Sequence, residues 1–171
     1  MANSNGSEHN SEMSTERSLD RTDHAILDGL VKNARLSNKE LAAAVGIAPS
    51  TCLERVRRLN DEGVVTGYHA EVNPAAVGVG LQALIAIKLG RHSRPVVDAF
   101  QAHALGLPEV TQVFHTSGAN DFLVHVAVRD AGQLRDLVLT AFTERPEVVH
   151  IETAVLFGHY RTAGLPRPRP V

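Results

Sequence analysis

Residues 36–63, LSNKELAAAVGIAPSTCLERVRRLNDEG, constrain the fold more than any other part of the chain. Ser37 and Glu40 are spaced as a capping box, in which each side chain accepts from a backbone N–H at the start of a helix. Gly46 predicts the end of that helix, since glycine adopts the left-handed conformation at a C-terminus without steric cost. Pro49 predicts the start of a second helix, because its fixed φ suits the first turn. The segment therefore predicts two short helices joined by a tight turn.

The second helix of this pair is predicted to divide its surface between an apolar face and a polar one. Cys52, Val56 and Leu59 follow one another at helical spacing and predict the buried face. The remaining positions carry hydroxyls, a carboxylate and arginines, the groups that contact base edges and phosphates in the major groove of DNA. We interpret the pair as a helix-turn-helix and predict these DNA contacts: Ser50, Thr51, Glu54, Arg55 and Arg58.

Two alternatives to this interpretation stay open. The helical pair could make only protein contacts, and any one of the arginines could be a solvated surface charge. Arg57 lies between the two faces of the helix and is left outside the predicted contact set. Cys52 lies in register with the apolar face, which favours an inert core thiol over a redox sensor.

Composition narrows the class of protein further. The 171-residue chain has a formal net charge of −2, so we expect any basic surface to be local and DNA affinity to depend on oligomerisation. No apolar run approaches the ~20 residues of a membrane span. The polar N-terminus lacks the apolar region of a signal peptide, and a single cysteine excludes an internal disulfide. We therefore predict a cytoplasmic, nucleoid-associated protein with no membrane partner.

The first part of the chain completes the helical domain. Residues 1–18 are polar with almost nothing to bury, which predicts a disordered tail. Asp20 is placed as an N-cap with Asp23 three residues later, and the apolar stripe that follows predicts a helix to about residue 33. Three helices then form one predicted DNA-binding domain, residues 19–66.

Beyond this domain the hydrophobic period changes from helical to alternating. Within a linker of residues 67–79, residues 68–72 predict a short wing or linker strand. Residues 80–160 then give the order β-α-β-β-α-β, which is typical of a ferredoxin-like fold in the α+β class. The strand over residues 81–89 is apolar on both faces, so it needs helices on one side and another covering on the other. The proline-rich basic residues 161–171 predict a flexible tail.

Several motifs in the run from residue 19 to about residue 160 resemble the Lrp/AsnC (feast/famine) family of transcription regulators. They are LDxxDxxIL from residue 19, NARLS from residue 33, PSTCLxRVxRL from residue 49, EGVVxGY from residue 62, NPxxxG from residue 73, RHS from residue 91, and the turn of residues 118–121. The resemblance implies a winged helix-turn-helix joined to a ferredoxin-like domain. It also implies dimers that associate through their sheets, assembly to tetramers or octamers of dimeric units, and an amino acid effector bound between effector domains.

The resemblance implies an effector site at the turn between the second and third strands of the ferredoxin-like domain. Members of the family usually have Gly-Asp-Tyr-Asp there, whereas this chain has Gly-Ala-Asn-Asp, which removes one charge and one aromatic wall. The predicted effector-binding residues are Thr116, Ser117, Gly118, Ala119, Asn120 and Asp121. Glycine lets backbone N–H groups approach a carboxylate, and Asp121 or a carbonyl can pair with an α-ammonium. A tight turn that binds no ligand is the alternative.

The sequence thus predicts a DNA-binding transcription regulator, not an enzyme, whose assembly or DNA affinity responds to an amino acid, with genes of amino acid metabolism as targets. Two other classes remain: an architectural protein that wraps DNA with little ligand response, and an enzyme or a regulatory subunit of one. No cofactor or metal is expected. His150 and Glu152 alone are too few ligands for a metal site.

Overall fold

The computed structural model describes residues 18–162 and 164–166. Apart from Ser18, the predicted N-terminal tail lies outside these residues, as do six residues of the predicted C-terminal tail. The chain divides into two compact units, Met1–His69 with Thr162–Val171, and Ala70–Arg161. Every helix in the described ranges is too short or too polar to span a lipid bilayer.

The first unit contains the three predicted helices: α1 (Arg21–Lys32), α2 (Asn38–Val45) and α3 (Pro49–Asp61). Asp20 and Asp23 accept from each other's backbone N–H at 2.8 and 3.2 Å and so begin α1 with a capping box. Ser37 and Glu40 do the same for α2, and Gly46 ends it with φ of 77°. The capping chemistry of the sequence therefore sets these boundaries.

The core of the first unit lies between the apolar faces of the three helices. Ile26, Leu41, Cys52 and Leu59 are almost completely buried in one cluster. The apolar face predicted for α3 is therefore confirmed. Burial raises the pKa of the Cys52 thiol, which disfavours the reactive thiolate.

The strand predicted over residues 68–72 is not formed. This stretch has no regular secondary structure and pairs with no strand of the described chain, and Val72 is 57% exposed. In the described chain, the backbone N–H and C=O groups of this stretch are not hydrogen-bonded to the edge of a sheet. An extended sequence pattern alone therefore does not create a strand here. A short 3₁₀ helix, Pro74–Val77, follows and is capped by the Asn73 side chain.

Within the C-terminal segment, the structure describes residues 161, 162 and 164–166. Leu165 is half-buried there and packs against the apolar cluster of the first unit. Its burial is favourable because apolar surface is removed from water. The flexibility of residues 161–171 stays a prediction.

The second unit is a four-stranded antiparallel sheet with its helices packed on one face. Its elements are β1 (Leu81–Leu89), α4 (Arg94–Leu105), β2 (Val110–His115), β3 (Phe122–Val128), α5 (Ala131–Leu137), a π-helical turn (Val138–Thr143) and β4 (Val148–Val155). The strand order is β2-β3-β1-β4. The predicted β-α-β-β-α-β order and the α+β fold class are confirmed.

The two faces of this sheet differ in their covering. One face of β1 and β3 is buried against Phe100 of α4 and against Leu134 and Phe142 of the α5 region. The outer face is defined here by Leu84, Phe114, Leu123, His125 and Ala154, and in the described part of the chain none of these residues belongs to the cluster formed with the helices. Phe114 is 47% exposed there. The apolar outer face of β1 is thus only partly covered within this chain.

Candidate DNA interface and effector turn

Helix α3 presents a polar face to solvent at its N-terminal half. Ser50, Thr51 and Glu54 are exposed, as the sequence predicts for groups that contact base edges. Arg57 is exposed as well and makes no ion pair with any described residue. Ser50, Glu54 and Arg57 follow one another at i, i+4 and i+7, so they form one outward stripe.

The other two arginines of α3 point toward α1 instead. Arg55 Nη1 lies 2.6 Å from Asp20 Oδ2 and 2.9 Å from Asp23 Oδ1. Arg58 Nη2 lies 2.7 Å from the same Asp23 Oδ1. We call the four residues the α1–α3 ion cluster. The cluster ties α3 to the first turn of α1. Arg55 and Arg58 are therefore half-buried structural cations.

Electrostatics within the α1–α3 ion cluster favour the charged forms. Burial acts to raise the pKa of Asp23, but hydrogen bonds from Arg55 and the backbone of Asp20, with the charge of Arg58, outweigh it and lower that pKa. The pKa of Asp20 is lowered by the backbone of Asp23 and by Arg55. Arg58 Nε is buried without a hydrogen bond, since Glu62 Oε2 is 3.9 Å away. Both carboxylates of the cluster are therefore ionised at neutral pH.

The predicted effector residues are contiguous in the β2–β3 turn, and their side chains divide into two groups. The Thr116 hydroxyl donates to the Asn120 carbonyl at 2.7 Å and closes the turn. Ser117, Gly118 and Ala119 are exposed at its tip. Gly118 has φ of 130°, a conformation that other residues rarely adopt, and a Cβ there would meet nothing within 4 Å.

Asp121 fixes this turn to the end of β1. Its Oδ2 accepts from the Leu89 backbone N–H at 2.7 Å, and its Oδ1 lies 2.8 Å from His92 Nε2. Its backbone N–H donates to the Ile87 carbonyl at 2.9 Å. The carboxylate is 15% exposed. Both of its oxygens are thus engaged, which leaves little of the group to meet an α-ammonium.

The backbone of the turn is better placed than its side chains to bind an anion. Within the described ranges, the N–H groups of residues 117–120 donate to no protein acceptor. They lie at an open tip beside Gly118, where no Cβ blocks approach. Such unpaired, outward backbone donors can bind a carboxylate.

On the outer face of the sheet, His125 is a buried and partly unsatisfied histidine. The Thr111 hydroxyl oxygen lies 2.7 Å from His125 Nδ1 and 3.1 Å from the His125 carbonyl oxygen. His125 Nε2 is buried and has no hydrogen-bond partner in the described part of the chain. Burial, and to a smaller extent the nearby His159, lowers the pKa of His125. In the described part of the chain, no three His, Cys, Asp or Glu residues are grouped as metal ligands.

Three of these residues are not among the site residues predicted from the sequence pattern. The spacing of Asp23 predicts only a capping residue, because its arginine partners are 32 and 35 residues away. Arg57 is exposed on the same stripe as Ser50, which its i+7 spacing from Ser50 indicates. His92 belongs to a family motif, and no local spacing connects it with Asp121.

Comparison with known proteins follows the same division of the chain. A winged helix-turn-helix DNA-binding model matches residues 19–66, and an Lrp/AsnC ligand binding domain model matches residues 82–164. The HTH-type transcriptional regulator AldR of Mycolicibacterium smegmatis is 43% identical over 147 residues, 86% of each protein. The leucine-responsive regulatory protein of Escherichia coli is 36% identical over 82% of this chain and 85% of its own.

A solved structure gives the same result. A transcriptional regulator from Neisseria meningitidis, in complex with L-Met, superposes with a TM-score of 0.80 and 33% identity, over 87% of this chain and 97% of that one. The relatives named here are described as regulatory proteins. The order of domains, the fold of each and these identities agree, and the chain belongs to the Lrp/AsnC family of DNA-binding transcription regulators.

Proposed function

We propose that this regulator binds specific duplex sites through the exposed stripe of α3 and that an α-amino acid bound at the β2–β3 turn changes its assembly or DNA affinity. The observation that supports the DNA contacts is the outward direction of Ser50, Glu54 and Arg57. Thr51 joins them at the N-terminal end of the helix. Hydroxyls, a carboxylate and a guanidinium can together discriminate base edges.

We propose a different role for Arg55 and Arg58. To contact DNA, each would have to give up bonds to carboxylates on α1, since Asp23 is 2% exposed and shared by both. We therefore propose that their main role is to fix the angle of α3 on α1. Direct contact of either with a phosphate stays a prediction.

For the effector, we propose that the free N–H groups of residues 117–120 bind the α-carboxylate. The α-ammonium then meets a carbonyl of the turn or a group from a second copy, because Asp121 is bonded to Leu89 and His92. The turn offers no free charged side chain, which favours an amino acid with a neutral side chain. The leucine-responsive relative and the L-Met complex support that class.

We further propose that two chains associate through the outer face of the sheet. Leu84, Leu123 and Ala154 form an apolar surface there, beside the half-exposed Phe114. Apolar sheet faces of this kind are stabilised when a second sheet packs on them. Larger assemblies would then bring effector turns of different dimers together. We propose double-stranded DNA in the cytoplasm as the binding partner of the assembled regulator.

The test is fluorescence anisotropy with the duplex upstream of the protein's own gene and with a random duplex, at one fixed salt concentration because affinity is steeply salt-dependent. Each of the twenty amino acids is added in turn. We expect a preference for the upstream duplex that changes with one or a few neutral amino acids. Arg57→Ala should weaken binding, and Arg135→Ala, which removes an exposed charge on α5 that is paired with Asp136, should not.

Three outcomes would separate the alternatives. Equal binding to both duplexes with no ligand response would indicate an architectural DNA-wrapping protein. A preference without a ligand response would leave a regulator and remove the effector role of residues 116–121. Binding to neither duplex would overturn the proposal.

A further inference from the structure

Two histidine rings meet at the outer face of the sheet, and the function proposed above does not use them. His125 lies in the middle of β3, and His159 belongs to the stretch that follows β4. Their ring centroids are 5.6 Å apart, at an interplanar angle of 62°. His125 is 7% exposed, whereas His159 is exposed to solvent. We call these two side chains the histidine pair.

The surroundings of the His125 ring suit its neutral form. Nδ1 lies 2.7 Å from the Thr111 hydroxyl oxygen, and Nε2 is buried without a hydrogen-bond partner among the described residues. A protonated Nε2 would be a buried, charged donor with no acceptor, which costs more than an unpaired neutral nitrogen. Burial, and after it the charge of His159, lowers the pKa of His125 in agreement with this arrangement.

Among the described residues, no carboxylate lies beside the His125 ring to balance a positive charge. The residues opposite His125 on the neighbouring strands are Leu84 of β1 and Gln112 of β2, and neither is charged. A proton on this ring would therefore remain an uncompensated charge on a largely apolar surface.

The other titratable groups of the outer face lie farther from the histidine pair. On the four strands of the sheet, they are Lys88 of β1, and His150 and Glu152 of β4. Glu152 Oε1 lies 3.1 Å from His150 Nε2, and β1 separates both residues from β3. Lys88 is four positions along β1 from the residue opposite His125, a distance of about 13 Å. In the stretch that carries His159, Tyr160 and Arg161 are exposed to solvent.

Association through the outer face would place a second sheet over His125. Leu84 lies opposite His125, and Leu123 lies two positions away on the same strand and face, so the ring is surrounded by the apolar surface proposed above as the contact. A sheet packed there removes the water that still reaches the ring. A charged imidazole would then lose its hydration without gaining a carboxylate. Because two identical chains contribute the same surface, each contact contains two histidine pairs.

We propose that the histidine pair makes the association of two chains sensitive to protons: a neutral His125 allows the two sheets to pack, and its protonation weakens their contact. This proposal rests on the association through the outer face proposed above. His159 shields the His125 ring from water, and a positive charge on His159 opposes a second one on His125. Histidine suits this role because its charge changes between about pH 5 and about pH 8.

The experiment is sedimentation velocity of the full-length protein without DNA, from about pH 7.5 to about pH 5 at one fixed salt concentration. Each proton that is taken up when two chains separate raises the dissociation constant about tenfold per pH unit. In the wild type we therefore expect the dissociation constant to rise about tenfold or more across this range. Far-UV circular dichroism at each pH checks that the chains stay folded.

Two variants and a control assign the effect to the histidine pair. His125→Gln removes the titrating ring but keeps a side chain that can bond to Thr111, and its dissociation constant should stay nearly constant down to about pH 5. His159→Gln keeps His125 but removes its shield and the second charge, so the rise should begin at a higher pH than in the wild type. His24→Gln, an exposed change on α1, should keep the wild-type profile.

Other results would count against the proposal. A wild-type dissociation constant that does not change with pH would overturn the proton sensitivity, with the association itself still in place. The same rise in His125→Gln as in the wild type, or an unshifted profile in His159→Gln, would remove the histidine pair from the effect. If the wild type were a single chain even at about pH 7.5, the proposed association would fail first, and the role of the pair with it.

Discussion

Arg55 Nη1 donates to Asp23 Oδ1 across 2.9 Å and joins the recognition helix to the first turn of α1. The same carboxylate oxygen lies 2.7 Å from Arg58 Nη2. Asp23 is 2% exposed, so one buried carboxylate holds two cations of α3. Its backbone N–H also donates to Asp20, which is itself paired with Arg55. The orientation of α3 therefore depends on the Asp23 carboxylate, which is not part of the proposed DNA-binding surface.

Asp23→Asn should lower the free energy of unfolding of the first unit by about 2 kcal/mol, because it removes a buried charge from hydrogen bonds with two cations. Urea unfolding followed by far-UV circular dichroism measures the change. Asp61→Asn, at the exposed end of α3, is the matched control and should stay near the wild type. An equal stability of the two variants would contradict the structural role of Asp23.

The same carboxylate predicts a dependence on acid pH. Its pKa is lower in the folded protein than the value of about 3.9 for an unfolded aspartate. The stabilisation is thus complete above about pH 3.9 and is lost as pH falls through the folded-state pKa. Denaturation at a series of pH values below about 5 should show a weaker pH dependence in Asp23→Asn than in the wild type. Identical pH profiles would rule out this contribution.

His125 predicts a second pH effect, in a different range. Burial and His159 lower its pKa below the value of about 6.5 for an unfolded histidine. The unfolded chain then binds more protons between the two pKa values, so stability decreases as pH falls through that window. His125→Gln should reduce the loss of stability between about pH 7 and about pH 5. His24→Gln, an exposed change on α1, serves as the control and should leave that loss unaltered.

Gly118→Thr tests the effector turn. At φ of 130° a β-branched residue costs on the order of 1–3 kcal/mol, although the space around the position is open. We expect the fold to survive and the DNA-binding response to amino acids to disappear, because the backbone N–H groups shift. Ala119→Thr is the control without this backbone strain: it adds the same side chain at the next exposed position, where φ is negative. A full amino acid response in Gly118→Thr would remove this turn from the proposed site.

Phe114→Lys tests association through the outer face of the sheet. A lysine charge on this surface would have to lose its water on contact with a second sheet, which is unfavourable without a partner charge. Light scattering should therefore show smaller assemblies than in the wild type. Leu139→Lys changes a similarly exposed apolar residue in the π-helical turn and should preserve the assembly. A wild-type mass for Phe114→Lys would place the interface elsewhere.

Short-range patterns made much of the fold predictable. The capping pairs are three residues apart, and the alternation within Leu81–Leu89 spans one strand, so local chemistry decides these elements. The prediction of a strand over residues 68–72 is wrong because a strand depends on long-range pairing and not on local chemistry. A strand needs a partner edge, and no local sequence pattern provides one.

The features of the candidate sites likewise divide into those that short-range sequence patterns predict and those that depend on distant residues. The exposed positions of α3 follow from helical spacing, and the turn at Gly118 follows from its glycine and the family motif. The sequence does not predict which cations are available to contact DNA, because Arg55 pairs with Asp23 at a sequence separation of 32 residues. The engagement of Asp121 by His92 is equally invisible to spacing.

By itself, the sequence determined three helices, two of which begin with a capping box, the β-α-β-β-α-β order and the family, since capping, periodicity and motif spacing act over a few residues. The tertiary structure alone decided that Arg55 and Arg58 face carboxylates, that Arg57 faces solvent, and that Leu165 is seated in a groove of the first unit. Each of these depends on contacts between residues far apart in the chain. Burial and charge pairing at such contacts are fixed only when the elements pack.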